Sequence, residues 1–392
     1  MALSHTAIEP VVPEQRTALL EDLACTVIEK AAKLEAKVRP QFRGELVKIT
    51  RWMHCYYSNL IEGQPTLPRD IEAAIKKDFS AIPKIRNLQF LSIAHLSVQE
   101  WASTISDLPF SPLVIRQLHE RFYNALPKEL RIITHNDVSS EIVPGDFRSS
   151  DVKVGAHVPP PWELVPKLME HFHQRYNEPE MSRVRRIIAV GASHHRLAWI
   201  HPFRDGNGRV VRLVSDMLLR QLGIDGGGLW SLSRGLAIHR DEYYARLSNA
   251  DQERNSQSVE DGRGHLSEVE LRNFCTFVLK TMVDQIDYME GIFDLDSLAK
   301  RIERYVMLEE KFGNEVGAQV FLLLREALFR GEFPRGDAAR IMGVGERRAR
   351  AVLSQTLEAG LMRSDSHKSP VRLALPAKVL ATYFPRLFPL GA

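Results

Sequence analysis

Apolar residues recur at helical spacing along most of this chain, and two of the runs are broad enough to be buried on most sides. Residues 183–200 carry Val184, Ile187, Ile188, Leu197 and Ile200, and residues 207–222 carry Val210, Val211, Val214, Met217 and Leu218. Wide stripes of this kind predict helices inside a core. The same spacing predicts helices over 19–38, 45–59, 69–78, 84–106 and 112–125, the fourth of these carrying Leu88, Leu91, Leu96 and Trp101. The period changes between 130 and 161. Phe147-Arg148 and Val152-Lys153-Val154-Gly155, ending in His157-Val158-Pro159-Pro160-Pro161, read as short extended segments with a turn, a surface hairpin. The proline run then opens a helix over 162–176. Gly223 stops the helix before it, and Gly226, Gly227 and Gly228 read as a connection. A helix over 238–247 presents Tyr243 and Tyr244, a polar loop fills 248–264, and a long helix over 267–289 closes the bundle.

Further on, 296–312 and 315–329 read as connecting helices, with a linker near 330–334. Residues 337–342, the turn Gly343-Val344-Gly345 and residues 346–359 read as helix-turn-helix, and 361–375 as a two-stranded wing. The expected fold is mostly α: a helical bundle with one β-hairpin, followed by a small winged-helix domain. The expected divisions are an N-terminal helical region (1–110), a core (111–290), connecting helices (291–330) and the winged helix (331–392).

A chain of 392 residues has room for a sizeable core and two or three domains. With 44% hydrophobic and 26% charged residues it reads as a globular protein, and no run is apolar enough to span a membrane. The first residues lack the basic and apolar blocks of a secretory signal. Cys25, Cys55 and Cys275 are scattered and form no framework, which suits a reducing cytoplasm. The net charge of +3 is unevenly placed: residues 331–392 hold ten Lys+Arg against five Asp+Glu, so the body before them is near neutral. Arg347, Arg348 and Arg350 fall on the second helix of the helix-turn-helix, which leaves DNA, a protein contact or a homodimer as uses for that domain. His171, His173, His194 and His195 lack carboxylate or thiol neighbours at metal spacing and read as packing residues.

The chemistry concentrates in His201-Pro202-Phe203-Arg204-Asp205-Gly206-Asn207-Gly208-Arg209-Val210-Val211-Arg212. Pro202 ends one buried helix, and Gly206, Asn207 and Gly208 open the next. Free backbone N–H groups at that helix start, with no side chains on the glycines, make an anion site. Arg209 and Arg212 add two guanidiniums on neighbouring faces. Asp205 is a hard oxygen ligand suited to Mg²⁺, and His201 can take a proton near neutral pH.

This stretch resembles the signature of the Fic family, His-x-Phe-x-(Asp/Glu)-Gly-Asn-Gly-Arg-x-x-Arg, with every fixed position filled. The resemblance implies transfer of AMP from ATP to a Ser, Thr or Tyr hydroxyl of a protein, including self-modification. It implies His201 as the base, Phe203 as the loop's anchor, and Asp205 as the Mg²⁺ ligand. It further implies Gly206, Asn207 and Gly208 as the anion hole, with Asn207 at the α-phosphate, and Arg209 and Arg212 on the outer phosphates. Ser58-x-x-x-Glu62-Gly63 resembles the inhibitory motif of autoinhibited members, which implies that Glu62 pairs with Arg212. The segment 152–159 takes the place of the flap that binds the target chain by strand addition, and Tyr244 and Asn249 become candidates beside the adenine. Two other functions remain open at this point: removal of AMP with Glu62 as base, and a DNA-binding regulator whose core senses nucleotide.

Overall fold

The computed structural model describes residues 4–135, 138–309 and 313–388. The N-terminal part folds as helices α1 (Ala18–Lys37), α2 (Pro40–Ile61), α3 (Pro68–Ile75), α4 (Pro83–Ala102) and α5 (Pro112–Asn124). Each of α2 to α5 starts on a proline, whose missing N–H costs nothing in the first turn. A hairpin follows, β1 (Ile132–His135) with β2 (Val138–Glu141), and then α6 (Val165–Tyr176), α7 (Arg183–Ile200), α8 (Asn207–Gln221), α9 (Leu232–Ile238), α10 (Arg240–Asn249) and α11 (Glu268–Ile292). The C-terminal part comprises α12 (Leu295–Leu308), α13 (Gly313–Arg330), β3 (Glu332–Phe333), α14 (Ala338–Met342), α15 (Glu346–Glu358), β4 (Met362–Arg363), β5 (Val371–Leu373) and α16 (Ala377–Tyr383).

Helix α7 is the axis of the bundle, packed by α1, α6, α8 and α11. Its N-terminus is capped by Ser182, whose hydroxyl accepts from the Arg185 amide, and Ser267 caps α11 in the same way. The two helices approach closely where Gly191 faces the Cys275 backbone; a methyl group at Gly191 would come within 3.1 Å of the Cys275 Cα. Ile187, Ile188, Val190, Leu197 and Ile200 are all buried. This is why a helix lying just before the 201–212 loop holds that loop still.

Three expectations change. The regular hairpin lies at 132–141, where Ile132 and Ile133 supply β-branched residues, and not within 147–158. In the latter segment only Val154 and His157 pair, each amide donating to the other's carbonyl at 3.0 Å. Gly155 (φ 60°) makes the turn, and Pro159 to Pro161 cannot extend a ladder. The connection after Gly223 contains a further helix, α9, once Gly226, Gly227 and Gly228 have turned the chain with positive φ. Helix α13, read as a connector, packs on α14, α15, β3 and β5. It is therefore built into the C-terminal unit, whose antiparallel sheet runs β3-β5-β4. Residues 310–312, at the end of the helix expected over 296–312, lie outside the described residues.

The C-terminal unit lies against α2. Arg363 reaches the buried Glu45 at 3.1 Å, and Tyr57 donates its hydroxyl to the Leu387 carbonyl at 3.0 Å. Among the described residues no helix is long and apolar enough to cross a membrane.

Candidate active site

His201 caps α7 in the left-handed conformation, φ 49° and ψ 60°, which is strained for a residue with a side chain. The strain is held by the loop that follows. Phe203 is fully buried and stacks on His119, with centroids 4.0 Å apart and planes 4° from parallel. Asn207 clamps the same turn: its Oδ1 accepts from the Phe203 amide at 2.9 Å and its Nδ2 donates to the Phe203 carbonyl at 2.8 Å. The amide is thus already a loop brace, with one N–H left for a ligand. Gly206 (φ 80°) is required twice over, because a Cβ there would also fall 2.9 Å from the Tyr123 ring.

Helix α2 ends against this loop. Gln64 donates its amide to the Asn59 carbonyl and Gly63 donates to Leu60, with Gly63 at φ 75°, a Schellman ending that explains the glycine after Glu62. The turn aims Glu62 at the start of α8. A methyl group at Gly208 would collide with the Glu62 carboxylate and lie 3.1 Å from Arg212 Nη1. The carboxylate therefore stands over the bare backbone where an anion would bind. Arg212 Nη2 donates to Glu62 Oε1 at 2.7 Å and to the Ser58 carbonyl at 3.0 Å, and Arg212 Nε donates to Ser58 Oγ at 2.9 Å. A bidentate carboxylate–guanidinium fork is the expected geometry for such a pair. Here one carboxylate oxygen engages, and Ser58 takes Nε and shares Nη2. Burial pushes the Glu62 carboxyl up, but the Arg212 and Arg209 charges outweigh it and hold the acid below its usual range.

Arg209 does not share that cavity. Its Nε donates to Asn59 Oδ1 at 3.2 Å, its Nη2 to Gln64 Oε1, and its guanidinium lies 5.2 Å from the Phe122 ring centre. Both signature arginines are thus occupied by the end of α2, one by Ser58 and Glu62 and the other by Asn59 and Gln64.

A cavity of about 400 Å³ opens beside Glu62, lined on one side by His201, Asn207, Gly208 and Arg212 and on the other by Gly155, His157, Tyr244 and Asp251. Tyr244 is 41% exposed and donates its hydroxyl to the Ile61 carbonyl at 3.3 Å, so it also holds the end of α2. Asn249 is exposed and lines no part of this cavity; Asp251, two residues on, does. Asp251 accepts from His157 Nδ1 at 3.1 Å and His195 Nε2 at 3.0 Å, and these bonds outweigh burial and draw its carboxyl down to about 2. The His201 imidazole is held down to about 4, first by burial and then by His157 and Arg148 nearby. At neutral pH it is an unprotonated base.

Asp205 is exposed at the mouth of the loop and does not line the cavity. One carboxylate oxygen accepts the Tyr123 hydroxyl at 2.7 Å, which leaves the other for a cation. A single oriented carboxylate fits Mg²⁺, which keeps several waters and takes its remaining ligands from phosphates.

The sequence places Arg148 and His157 in the flap segment without marking their roles, and does not mark Tyr123 or Asp251 at all. Arg148 is buried; its Nε donates to the His201 carbonyl at 2.9 Å, and its other nitrogens reach the carbonyls of Ser150 and Pro160 on both sides of the flap. The arginine beside Phe147 in a polar loop carried no signal of this, since its partners are backbone atoms brought together only by folding.

The Fic/DOC family profile matches residues 109–219. The chain is similar to a protein adenylyltransferase Fic of Nematostella vectensis, 28% identical over 177 residues that are 45% of this chain and 39% of the relative. It is also similar to one of Drosophila persimilis, 31% identical over 177 residues that are 44% of this chain and 32% of the relative. The chain thus spans well under half the length of these relatives. The fold is shared with a crystal structure of a Fic family protein from Desulfovibrio desulfuricans, with a TM-score of 0.53, 19% identity and coverage of 93% of this chain and 98% of the other. It is also shared with Fic-1 of C. elegans, with a TM-score of 0.53, 18% identity and coverage of 71% and 74%. Signature and profile coincide: residues 109–219 match the Fic/DOC family, and the chain shares the fold of solved Fic family proteins.

Proposed function

We propose that this protein transfers AMP from ATP to a Ser, Thr or Tyr hydroxyl of a protein, its own chain included, and that α2 holds it inactive. One observation carries the reading: an unprotonated His201, a bare helix start at Gly208 and the Glu62–Arg212 pair all face one cavity.

In the reaction, His201 takes the proton of the target hydroxyl as its oxygen attacks the α-phosphorus, and pyrophosphate leaves. The N–H groups of α8 and the free N–H of Asn207 stabilise the charge that builds on the phosphate oxygens. Asp205, oriented by Tyr123, would hold Mg²⁺, which supplies neutralisation of the phosphate charge. Arg212 would grip the outer phosphates once Glu62 releases it. With the pair formed, the guanidinium is committed and the carboxylate repels an anion at the same place, so ATP is misplaced for attack. The target chain would lie along the flap at 152–159, where Val154 and Val158 are exposed.

For the C-terminal unit we read a winged helix. The support is its helix-turn-helix, its three-stranded sheet and the exposure of Arg347 and Arg350 on α15. Its binding partner is DNA, another protein or a second copy of this chain.

The test is incubation of the Glu62→Gly protein with ATP labelled at the α-phosphate. Protein-bound label, abolished by a metal chelator and restored by added Mg²⁺, is the expected outcome. Label carried only by free AMP, or its loss from a pre-modified protein that Glu62→Gly no longer processes, would replace this reading with AMP removal.

A further inference from the structure

The flap is tied to the site at two points. Arg148 fastens its base, as described above. The tip is fastened by His157, whose ring lies between two acceptors: Nε2 is 3.0 Å from the Trp199 carbonyl and Nδ1 is 3.1 Å from Asp251 Oδ2. The ring thus bridges the backbone of α7 and the carboxylate that follows α10. The second histidine on Asp251 differs. His195 Nε2 donates to Asp251 Oδ1 and the Leu247 carbonyl, while its Nδ1 faces the Arg196 guanidinium and must accept. His195 is therefore neutral, held down to about 4 first by burial, and His157 faces the carboxylate's other oxygen.

The positions give the pair a use. Trp199 is two residues before the base His201 on α7. Asp251 follows α10, and both Asp251 and His157 line the cavity that takes the nucleotide in the reading above. One histidine side chain thus joins the target-binding edge, the helix that carries the base and the far wall of the nucleotide cavity.

We propose that the His157–Asp251 pair is a latch that fixes the flap turn against the cavity, with His157 a positioning residue for AMP transfer; the catalytic half of this rests on the proposed function. Without the His157 side chain the turn at Gly155 keeps the pair of backbone bonds between Val154 and His157, and without Asp251 it keeps in addition the contact of the ring with the Trp199 carbonyl. A target hydroxyl presented on a loosened edge loses alignment with His201, and small misplacements of reacting atoms cost large factors in rate.

The experiment has arms that do not depend on transfer. In protein labelled with ¹⁵N-histidine, the ring nitrogen signals of His157, assigned by their loss in His157→Phe, should move in Asp251→Ala. Trypsin should cleave after the exposed Lys153 at least several times faster in His157→Phe and in Asp251→Ala than in the parent, with cleavage elsewhere and the melting profile little changed. On the Glu62→Gly background, His157→Phe should lower self-modification by about tenfold or more. Binding of a non-hydrolysable ATP analogue, measured by calorimetry, should stay within a few-fold. Combining His157→Phe with Asp251→Ala should add little to either alone. His157 ring signals indifferent to Asp251→Ala, or unchanged cleavage at Lys153, overturn the latch. A parallel fall of transfer and analogue binding overturns the positioning role and makes the pair part of the nucleotide site. Failure of the Glu62→Gly parent to transfer AMP overturns the proposed function while the ring and cleavage arms still judge the latch.

Discussion

The two walls of the cavity are built differently. On one wall, residues 201–212 form a single continuous turn whose parts brace one another: Asn207 clamps Phe203, Phe203 stacks on His119, and Gly206 lies under Tyr123. On the other, the flap, Tyr244 and Asp251 come from separate segments held by side chains: His157 meets Asp251, Arg148 fastens the flap's base, and Tyr244 bonds the Ile61 carbonyl. The first wall is rigid through local sequence and the second through tertiary contacts. The chemistry should therefore be lost when the first wall is altered, and retuned when the second is, with the end of α2 acting as a wedge between them.

The largest effect should come from the first wall. His201→Ala removes the base from a loop whose fold depends on Phe203 and Asn207, so the variant should fold and bind nucleotide. AMP transfer should fall by about 10²-fold or more, the usual size for a positioned general base. The pH profile sharpens this. Because the His201 imidazole is held down to about 4, transfer should be flat through neutral pH and fall only as the solution approaches about 4, where the ring takes up a proton. An unperturbed imidazole would lose activity already near about 6.5. Transfer by His201→Ala close to the parent's, or a midpoint near neutrality, would remove His201 from the base role.

The wedge comes next. Glu62→Gly frees Arg212 and clears the space over Gly208, and transfer should rise by about tenfold or more, because a misplaced phosphate cannot meet the base. Stability should fall by about 1–3 kcal/mol, since the buried Arg212 loses a charged partner while keeping its bonds to Ser58. Adding Arg212→Ala should erase the gain. If Glu62→Gly left transfer unchanged in a labelled-ATP assay, the pair would be structural only.

What was legible in the sequence follows the same division. The helices of the bundle and the 201–212 loop were legible because burial stripes, glycines and prolines act over a few residues. The limits predicted for α7 from residue spacing match those observed, since Ser182 and Pro202 punctuate it. Glu62 and Arg212 were joined through a resemblance, and the structure adds what spacing could not give, the Schellman turn at Gly63 and the collision over Gly208. The second wall was read less well. Alternating valines predict strands at 152–155, but the ladder forms at 132–141, and the residue of this stretch that lines the cavity is Asp251, two residues after Asn249. Nothing local marks Asp251, because its partners His157 and His195 lie far away in the chain.

A smaller change is expected from Asn59→Ala combined with Gln64→Ala. Their side chains hold Arg209, which lies outside the cavity lining. On the Glu62→Gly background, freeing Arg209 to reach outer phosphates should lower the KM for ATP by a few-fold with kcat little changed, as for a contact made equally in ground and transition states. A raised KM would mean that Arg209 serves by anchoring the end of α2 and not by gripping phosphate.

The smallest effect separates Asn249 from Asp251 and so tests the makeup of the second wall most directly. Asn249 ends α10 with its side chain exposed and lines no part of the cavity. Asn249→Ala should leave ATP-analogue binding and transfer unchanged, and stability within ~0.5 kcal/mol, as for a surface substitution without partners. Asp251→Asn keeps the shape and one acceptor oxygen but removes the charge that faces His157. It should leave the helix intact and still loosen the flap, raising cleavage at Lys153. An effect of Asn249→Ala on analogue binding larger than that of Asp251→Asn would return the adenine side to Asn249 and require α10 to turn when nucleotide binds.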